Sequence, residues 1–526
     1  MTDRKYPIGI QTFPRIIREG CIYVDKTDLV WQLAHYATYI FMSRPRRFGK
    51  SLLTSTLESY FQGERELFEG LKIMDLEKEW EHYPVFRIDV STAKAQATPD
   101  ALRERLMLIL DDYTEIYGRK ESEKTPGALL EGLIKRAFAQ TGKQAVVIID
   151  EYDAPLLEVL HDDDSLNERR QVMQEFYVPL KANERFIKFC FITGITKFSQ
   201  LSIFSTINNL TNVTMDPVFS NICGITEKEL VTVLSQDIEI LAEKHGLTFE
   251  EMHQRLKLKY DGYQFTEEPD EIYNPFSLLK AFQQKKLSNY WFESGTPTFL
   301  IRQLLHFKTD ITAFEHLETY SSDFDQPTEN MRDALPLLYQ SGYLTIKDYD
   351  IESEMYTLAI PNQEVRIGYV EGLLPVYTGL RSRDVKAGFA LKFWRALKMD
   401  NVEQAMREMQ AYLASVPYVE GFKEKLKDVA TAEGFFEYTF YLIFSMLNVY
   451  ARTQVKCAGG RADMVVWMPD AIYVFELKVH GTAQEALQQI DDRGYAIPYQ
   501  TDGRRVVKVG VKFNIDTRAP EDWIIA

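Results

Sequence analysis

Short runs of consecutive apolar residues alternate with long stretches of helical periodicity through the first half of the chain. The runs are Tyr39 to Met42, Val85 to Val90, Ala145 to Ile149 and Phe189 to Ile192, and the amphipathic stretches include 99–118 and 125–140. Strands buried on both faces read as near-continuous apolar runs, and their alternation with helices implies crossover connections and a parallel sheet. The pattern predicts an α/β unit over residues 1–285. From 286 to 384 it is mixed: a helical segment at 330–341 stops at Gly342, and strand-like runs follow at 343–347 and 356–361. A helix followed by a two-stranded wing suggests a winged-helix-like lid and linker. The third part, 385–526, carries helical stretches at 385–415 and 420–448, strands at 462–468 and 471–478, and a helix at 483–496.

Composition narrows the class. The chain has 526 residues, 45% hydrophobic and 26% charged, which excludes a disordered, collagen-like or disulfide-stapled protein. Its 61 Lys and Arg against 77 Asp and Glu leave a formal charge of −16, so nucleic acid can be held only through a local basic patch. Cys21, Cys190, Cys223 and Cys457 lie far apart without Cys-x-x-Cys spacing, which argues against structural zinc and fits a reducing compartment. No apolar stretch is long enough for a signal-peptide core or a membrane span, so a soluble cytoplasmic protein is expected.

The first chemical motif follows the Tyr39 strand. Ser43-Arg44-Pro45-Arg46-Arg47-Phe48-Gly49-Lys50-Ser51-Leu52 ends in the Gly-Lys-Ser of a phosphate-binding loop. Gly49 lets backbone approach a phosphate, Lys50 reaches the β- and γ-phosphates, and Ser51 holds Mg²⁺, while the next helix presents its positive N-terminus. Arg44 stands where this pattern has its first glycine, and Arg44, Arg46 and Arg47 add charge complementary to a triphosphate. A basic loop opening an ordinary helix would look similar.

A second motif changes the balance. Ala145 to Ile149 runs into Asp150-Glu151-Tyr152-Asp153, an apolar strand ending in adjacent carboxylates. Asp150 is placed to order Mg²⁺ and Glu151 to polarise the attacking water. A third strand ends in Thr193-Gly194-Ile195-Thr196, where Thr193, or else Thr196, is a candidate γ-phosphate sensor or simply a capping residue. The expected nucleotide site comprises Arg46, Arg47, Phe48, Gly49, Lys50, Ser51, Leu52, Asp150 and Thr193.

The last part permits a register argument. Pro469-Asp470 is a turn signal between two strand-like runs, and a four-residue loop from Met468 to Ala471 sets Trp467 opposite Ile472. Asp463 then opposes Glu476, and Lys478 shares that face. Two carboxylates so close repel unless a cation lies between them, and oxygen ligands favour Mg²⁺ or Mn²⁺. Asp463 and Glu476 are thus candidate metal ligands, with Lys478 to position a water or neutralise developing charge. A solvated Glu–Lys pair is the plain alternative, yet the apolar run Ile472 to Phe475 marks the strand as central. Glu437, a lone acid in an aromatic helix, and Gln489 complete the cluster, although Gln489 reads equally well as a surface residue.

These residues resemble a bacterial family that joins an AAA-ATPase-like N-terminal domain to a PD-(D/E)XK nuclease-superfamily C-terminal domain. The resemblance covers nearly the whole chain. It rests on Pro7-Ile8-Gly9-Ile10, Tyr23-Val24-Asp25-Lys26-Thr27, the Arg44 to Ser51 loop, Ile149 to Asp153, Tyr260-Asp261-Gly262-Tyr263, Tyr273-Asn274-Pro275, Gly460-Arg461-Ala462-Asp463, Phe475-Glu476-Leu477-Lys478 and Gln489-Ile490. It implies a P-loop parallel sheet with helices on both faces, a restriction-endonuclease-like α/β domain, and ATP and Mg²⁺ as cofactors. The nuclease pattern's acids fall on Asp463 and Glu476, its lysine on Lys478, and the first-helix acid on Glu437. An arginine at the first P-loop glycine position looks like a property of the family. The expected activity is an ATPase that regulates or drives a Mg²⁺-dependent nuclease acting on DNA or RNA. The alternative is a nucleotide-switched regulatory protein whose nuclease fold is inactive. A homo-oligomer fits either reading, since such ATPases often borrow a neighbour's arginine.

Overall fold

The computed structural model describes residues 4–94, 96, 98–160, 162–197, 210–268, 270–294, 298–307, 309–327, 331–378, 387–414, 429–446 and 450–526. They form two compact units, one of residues 1–309 and 317–364, the other of 310–316 and 365–526.

The first unit is built on a five-stranded sheet of β1 (Tyr39–Ser43), β2 (Val85–Asp89), β3 (Ala145–Asp150), β4 (Ile187–Gly194) and β5 (Thr211–Asn212). The order is β2-β3-β4-β1-β5 and every neighbouring pair is parallel. Successive side chains point to opposite faces, so both faces need cover. Tyr39 and Phe41 join a core with Leu129, Leu133 and Phe176 from helices Pro126–Thr141 and Asp163–Ala182. The helix Lys50–Phe61 covers the other face, its Phe61 ring 5.0 Å from Phe189 of β4. The amphipathic stretch expected at 99–118 is two helices, Pro99–Ile109 and Asp111–Tyr117, broken at Leu110.

A small pair, β6 (Ile225–Thr226) and β7 (Ile272–Tyr273), precedes a three-stranded antiparallel sheet of β8 (Leu317–Thr319), β9 (Thr345–Asp350) and β10 (Met355–Ala359), ordered β8-β10-β9. With the helix Leu335–Gln340 this is the helix and wing anticipated, plus one strand. The N-terminal end of the segment expected at 330–341 lies outside the described residues. The sequence pattern set 286–384 apart, but the wing belongs to the first unit and is bonded into it. Gln264 and Thr345 exchange hydrogen bonds at 2.8 Å each way, and Lys347 pairs with Glu271 at 2.9 Å.

The second unit carries β11 (Tyr450–Cys457), β12 (Gly460–Trp467), β13 (Ala471–Lys478), β14 (Arg505–Asn514) and β15 (Ala519–Ile525), paired in that order. All pairs are antiparallel except β13–β14, which the crossover helix Ala483–Asp492 makes parallel. β13 is central and buried at every position but the last. Aromatic rings from the helix Val429–Met446 cover it: Phe440 and Phe444 lie 6.2 and 5.7 Å from Phe475. Helices Ala387–Lys398 and Val402–Ala414 occupy the long stretch expected at 385–415, interrupted at Asp400 with φ of 57°. Of the stretch expected at 420–448, residues 420–428 and 447–448 lie outside the described residues.

Candidate functional site

In the first unit β1 turns into the helix Lys50–Phe61 through Gly49, whose φ of +95° is a left-handed conformation that glycine adopts without a Cβ clash. This turn opens a cavity of about 500 Å³ lined by Arg46, Lys50, Ser51, Glu151 and Asp153 among others. The Lys50 ammonium is buried and donates to the carbonyls of Arg44 and Pro45, each at 2.9 Å. Burial pushes its pKa down, while Asp150, Glu151 and Asp153 pull it back up. Arg47 and Leu52 also line the cavity, although the Arg47 guanidinium is engaged 4.0 Å over the Phe276 ring and on the Tyr290 carbonyl at 2.6 Å.

β4 lies between β1 and β3, so the acidic strand end reaches the loop through the helix rather than as the neighbouring strand. Asp150 is buried, and its pKa is raised by burial against the opposing pull of the Ser51 hydroxyl and Lys50. Glu151 has φ of 51°, a conformation rare outside glycine and one that tends to gather at functional sites. Burial raises its pKa, Lys50 lowers it, and Asp150 and Asp153 raise it further.

Three sequence expectations do not fit this geometry. Arg44 is buried and points away from the cavity, its guanidinium donating to the carbonyls of Ser43 at 3.0 Å, Thr214 at 2.7 Å and Phe219 at 3.0 Å, beneath the Phe265 ring. Phe48 turns into the core against Tyr263 and Phe265, at 4.7 and 5.2 Å. Thr193 is fully buried and spends its hydroxyl on the Met42 carbonyl at 2.7 Å, and Thr196 bonds Asp153 instead. Asp153 is the residue that motif reading quoted without a role. Its Oδ2 accepts the backbone N–H groups of Ile195 and Thr196, at 3.0 and 2.7 Å, and fixes the loop after β4.

The second unit gathers the other named residues. Trp467 opposes Ile472 and the ladder continues to Met464–Phe475, the register expected from the turn. At the next row Asp463 accepts the backbone N–H of Leu477 at 2.7 Å. Glu476 is buried, and its Oε1 takes the Lys478 ammonium at 3.2 Å and the Gln489 amide. Its Oε2 is buried with no hydrogen-bond partner. Burial and the neighbouring Asp463 push the Glu476 carboxyl up, opposed by Lys478. Glu437 is pushed up to about 8 by burial, with Asp463 and Asp310 adding repulsion and the Gln454 amide, at 2.9 Å, opposing. Gln454, unnamed by sequence reading, stands on β11 between the pairs Thr453–Met464 and Val455–Ala462, with φ of 48°. Its alternation with Arg452 and Lys456 was the available signal.

An acidic pair with one orphaned buried oxygen suits a divalent cation, because Mg²⁺ commonly binds through one or two carboxylates and keeps several waters. Among the described residues, no group of three His, Cys, Asp or Glu side chains converges into a fuller metal cluster.

Comparison with known proteins bears on both units. The family described as "Predicted AAA-ATPase" matches residues 7–204, and the PD-(D/E)XK nuclease superfamily matches residues 431–523. An uncharacterized protein from the vnfD 5′ region of Azotobacter chroococcum mcd 1 is 32% identical over 531 residues, spanning 100% of this chain and 99% of its own length. The chain belongs to this family of AAA-ATPase-like proteins with a PD-(D/E)XK nuclease-superfamily domain. The AAA-ATPase-like match includes Gly49, Lys50, Ser51, Asp150 and Glu151, and the nuclease-superfamily match includes Glu437, Asp463, Glu476, Lys478 and Gln489. The solved ORC2 protein of Aeropyrum pernix, in ADPNP–ADP complexes, is similar at 12% identity over 64% of this chain and 87% of that one, with a TM-score of 0.25. No described helix is long and apolar enough to cross a membrane.

Proposed function

We propose that the protein hydrolyses ATP in its AAA-ATPase-like unit and cuts DNA or RNA phosphodiesters in its nuclease-superfamily unit, with nucleotide turnover regulating or driving the cutting. Lys50 and the backbone at Gly49 hold the β- and γ-phosphates, and Arg46 adds charge at the cavity wall. Ser51 and Asp150 would hold the nucleotide's Mg²⁺, and Glu151 takes the proton of the attacking water. Asp153 keeps the loop after β4 in place.

In the second unit Asp463 and Glu476 would hold a divalent cation, Mg²⁺ or Mn²⁺, which supplies Lewis-acid activation when bound. Lys478 faces charge that develops on the phosphoryl oxygens. Gln489 fixes the Glu476 carboxylate by donating to Oε1. Glu437 holds a proton at neutral pH without the cation, which limits repulsion with Asp463.

The observation that carries the reading is the buried, unpartnered Oε2 of Glu476 beside a second acid and a lysine. Replacing Glu476→Ala should abolish Mg²⁺-dependent cleavage and leave ATP binding intact. Unchanged cleavage by that variant would refute the cutting half. The formal charge of −16 favours one rival, a nucleotide-switched regulator with a silent nuclease fold. Vigorous ATP turnover with no cleavage of single- or double-stranded DNA or RNA, with or without ATP, would establish the rival.

A further inference from the structure

We propose that the cleft between β11 and residues 310–316 seats the phosphodiester backbone of a nucleic-acid strand through Arg452, Lys456 and Arg461. The proposal rests on the cutting reading and names where the polymer lies relative to the acids. The cleft holds about 560 Å³ and is lined by these three cations with Asp310, Gln454 and His316 among others.

The register makes the cations a group. Lys456 lies directly opposite Arg461 in the β11–β12 ladder, so their side chains share one face. Arg452 stands four residues before Lys456 on β11, and although Gln454 between them, with φ of 48°, interrupts the strand's alternation, both side chains line the same cleft. Like charges set directly opposite in a ladder are destabilising, and an acidic partner is the usual remedy. None is present: among the described residues these three side chains form no ion pair, while Arg366, Arg407, Arg504, Arg505 and Lys508 of the same unit each do. The acids of the cleft are otherwise engaged. Glu315 accepts from Arg366 and from the Tyr441 hydroxyl, and Asp310 accepts the backbone N–H and hydroxyl of Thr312, at 3.0 and 2.7 Å.

Position and span choose the occupant. Gln454, midway between Arg452 and Lys456, bonds Glu437 at 2.9 Å, and Asp463 lies two residues beyond Arg461 on β12. An anion on these cations is therefore next to the catalytic acids. Four residues of strand extend about 13 Å, longer than a single phosphate, which fits successive phosphates of a polymer. In a chain of net charge −16, local cations of this kind are the means of attracting one.

The test uses the full-length protein with single-stranded DNA, duplex DNA and single-stranded RNA, in EDTA to prevent cutting, with affinity measured across a salt series. Neutralising Arg452→Gln, Lys456→Gln and Arg461→Gln together should flatten the slope of log affinity against log salt by about 2 to 3, because each phosphate contact contributes roughly 0.7 to 0.9. The polymer showing the largest loss identifies the substrate. Lys456→Gln alone should lower the slope by about 1 without lowering the Tm, since it relieves an opposed like-charge pair. Equal slopes for wild type and triple variant overturn the seat and leave the cutting reading standing. So does a wild type that cuts with no salt-dependent affinity. A wild type that neither binds nor cuts overturns the cutting reading itself.

Discussion

Asp463 Oδ2 accepts the backbone N–H of Leu477 at 2.7 Å, one row beyond the last ladder pair of β12 and β13. The same carboxylate thus closes the sheet and faces Glu476. Asp463→Ala should therefore lose cleavage and also lose about 1 to 2 kcal/mol of stability, the usual cost of stranding a buried donor. Glu476→Gln should lose cleavage while keeping stability within about 1 kcal/mol, because it removes a buried charge with one orphaned oxygen. Denaturant melts of both variants without metal check the contrast, and equal losses would contradict it.

Arg44→Gly restores the glycine of the usual loop pattern and should nonetheless be harmful. The Thr214 and Phe219 carbonyls would lose a charged donor in a buried site, costing on the order of 3 kcal/mol. Tighter ATP binding with unchanged stability would show that the guanidinium is not an anchor.

Lys50→Ala should abolish ATP binding at ordinary concentrations. Glu151→Gln should retain binding and slow hydrolysis by roughly 10²- to 10⁴-fold, the range for a lost general base. Nucleotide binding measured beside phosphate release separates the two roles. A Glu151→Gln variant with full turnover would move the base elsewhere.

Asp261 is buried, and its pKa is pushed up to about 7, chiefly by burial, against the opposing pull of the Gly262 backbone N–H and with Glu271 adding repulsion. A carboxyl raised in the folded state binds its proton more tightly there than in the unfolded chain. Its contribution is complete below about pH 4 and is lost as pH rises through about 7. Asp261→Asn should match wild type near pH 4 and exceed it above pH 7, by about 4 kcal/mol. Parallel pH–stability curves would remove the effect.

Gly510 faces Glu476 across β13–β14 and lies under the helix that carries Gln489. A Cβ there would meet the Ala483 carbonyl at 2.3 Å and the Leu487 nitrogen at 2.5 Å, both backbone. Gly510→Ala should lift that helix, cost about 1 to 3 kcal/mol and weaken cleavage more than ATP turnover. A calorimetric melt with both activity assays measures it.

Local chemistry was legible where one short segment carries it. The strand–turn–helix at Gly49, the acidic end of β3 and the hairpin of β12 and β13 each follow from apolar runs and one turn signal. What escaped depends on distant partners. Arg44 reads as a phosphate ligand until the loop of Thr214 and Phe219, 170 and 175 residues on, takes its guanidinium. β11 escaped because Arg452, Thr453, Gln454 and Lys456 give it polar character, and only pairing with β12 makes it a strand. Phe48 and Thr193 sit beside the right motifs, yet their side chains belong to the core, a choice of face that motif spacing does not encode.

Residues 310–316 belong with 365–526, while 317–364 between them belong elsewhere. A protein cut once before Val365 would therefore leave Arg366 and Tyr441 without the Glu315 carboxylate that both bind. On the ribosome, the stretch holding Glu315 emerges first and must wait for more than a hundred later residues before Tyr441 arrives. The halves are interleaved along the polypeptide, so neither can be grafted, deleted or inherited as a simple terminal block.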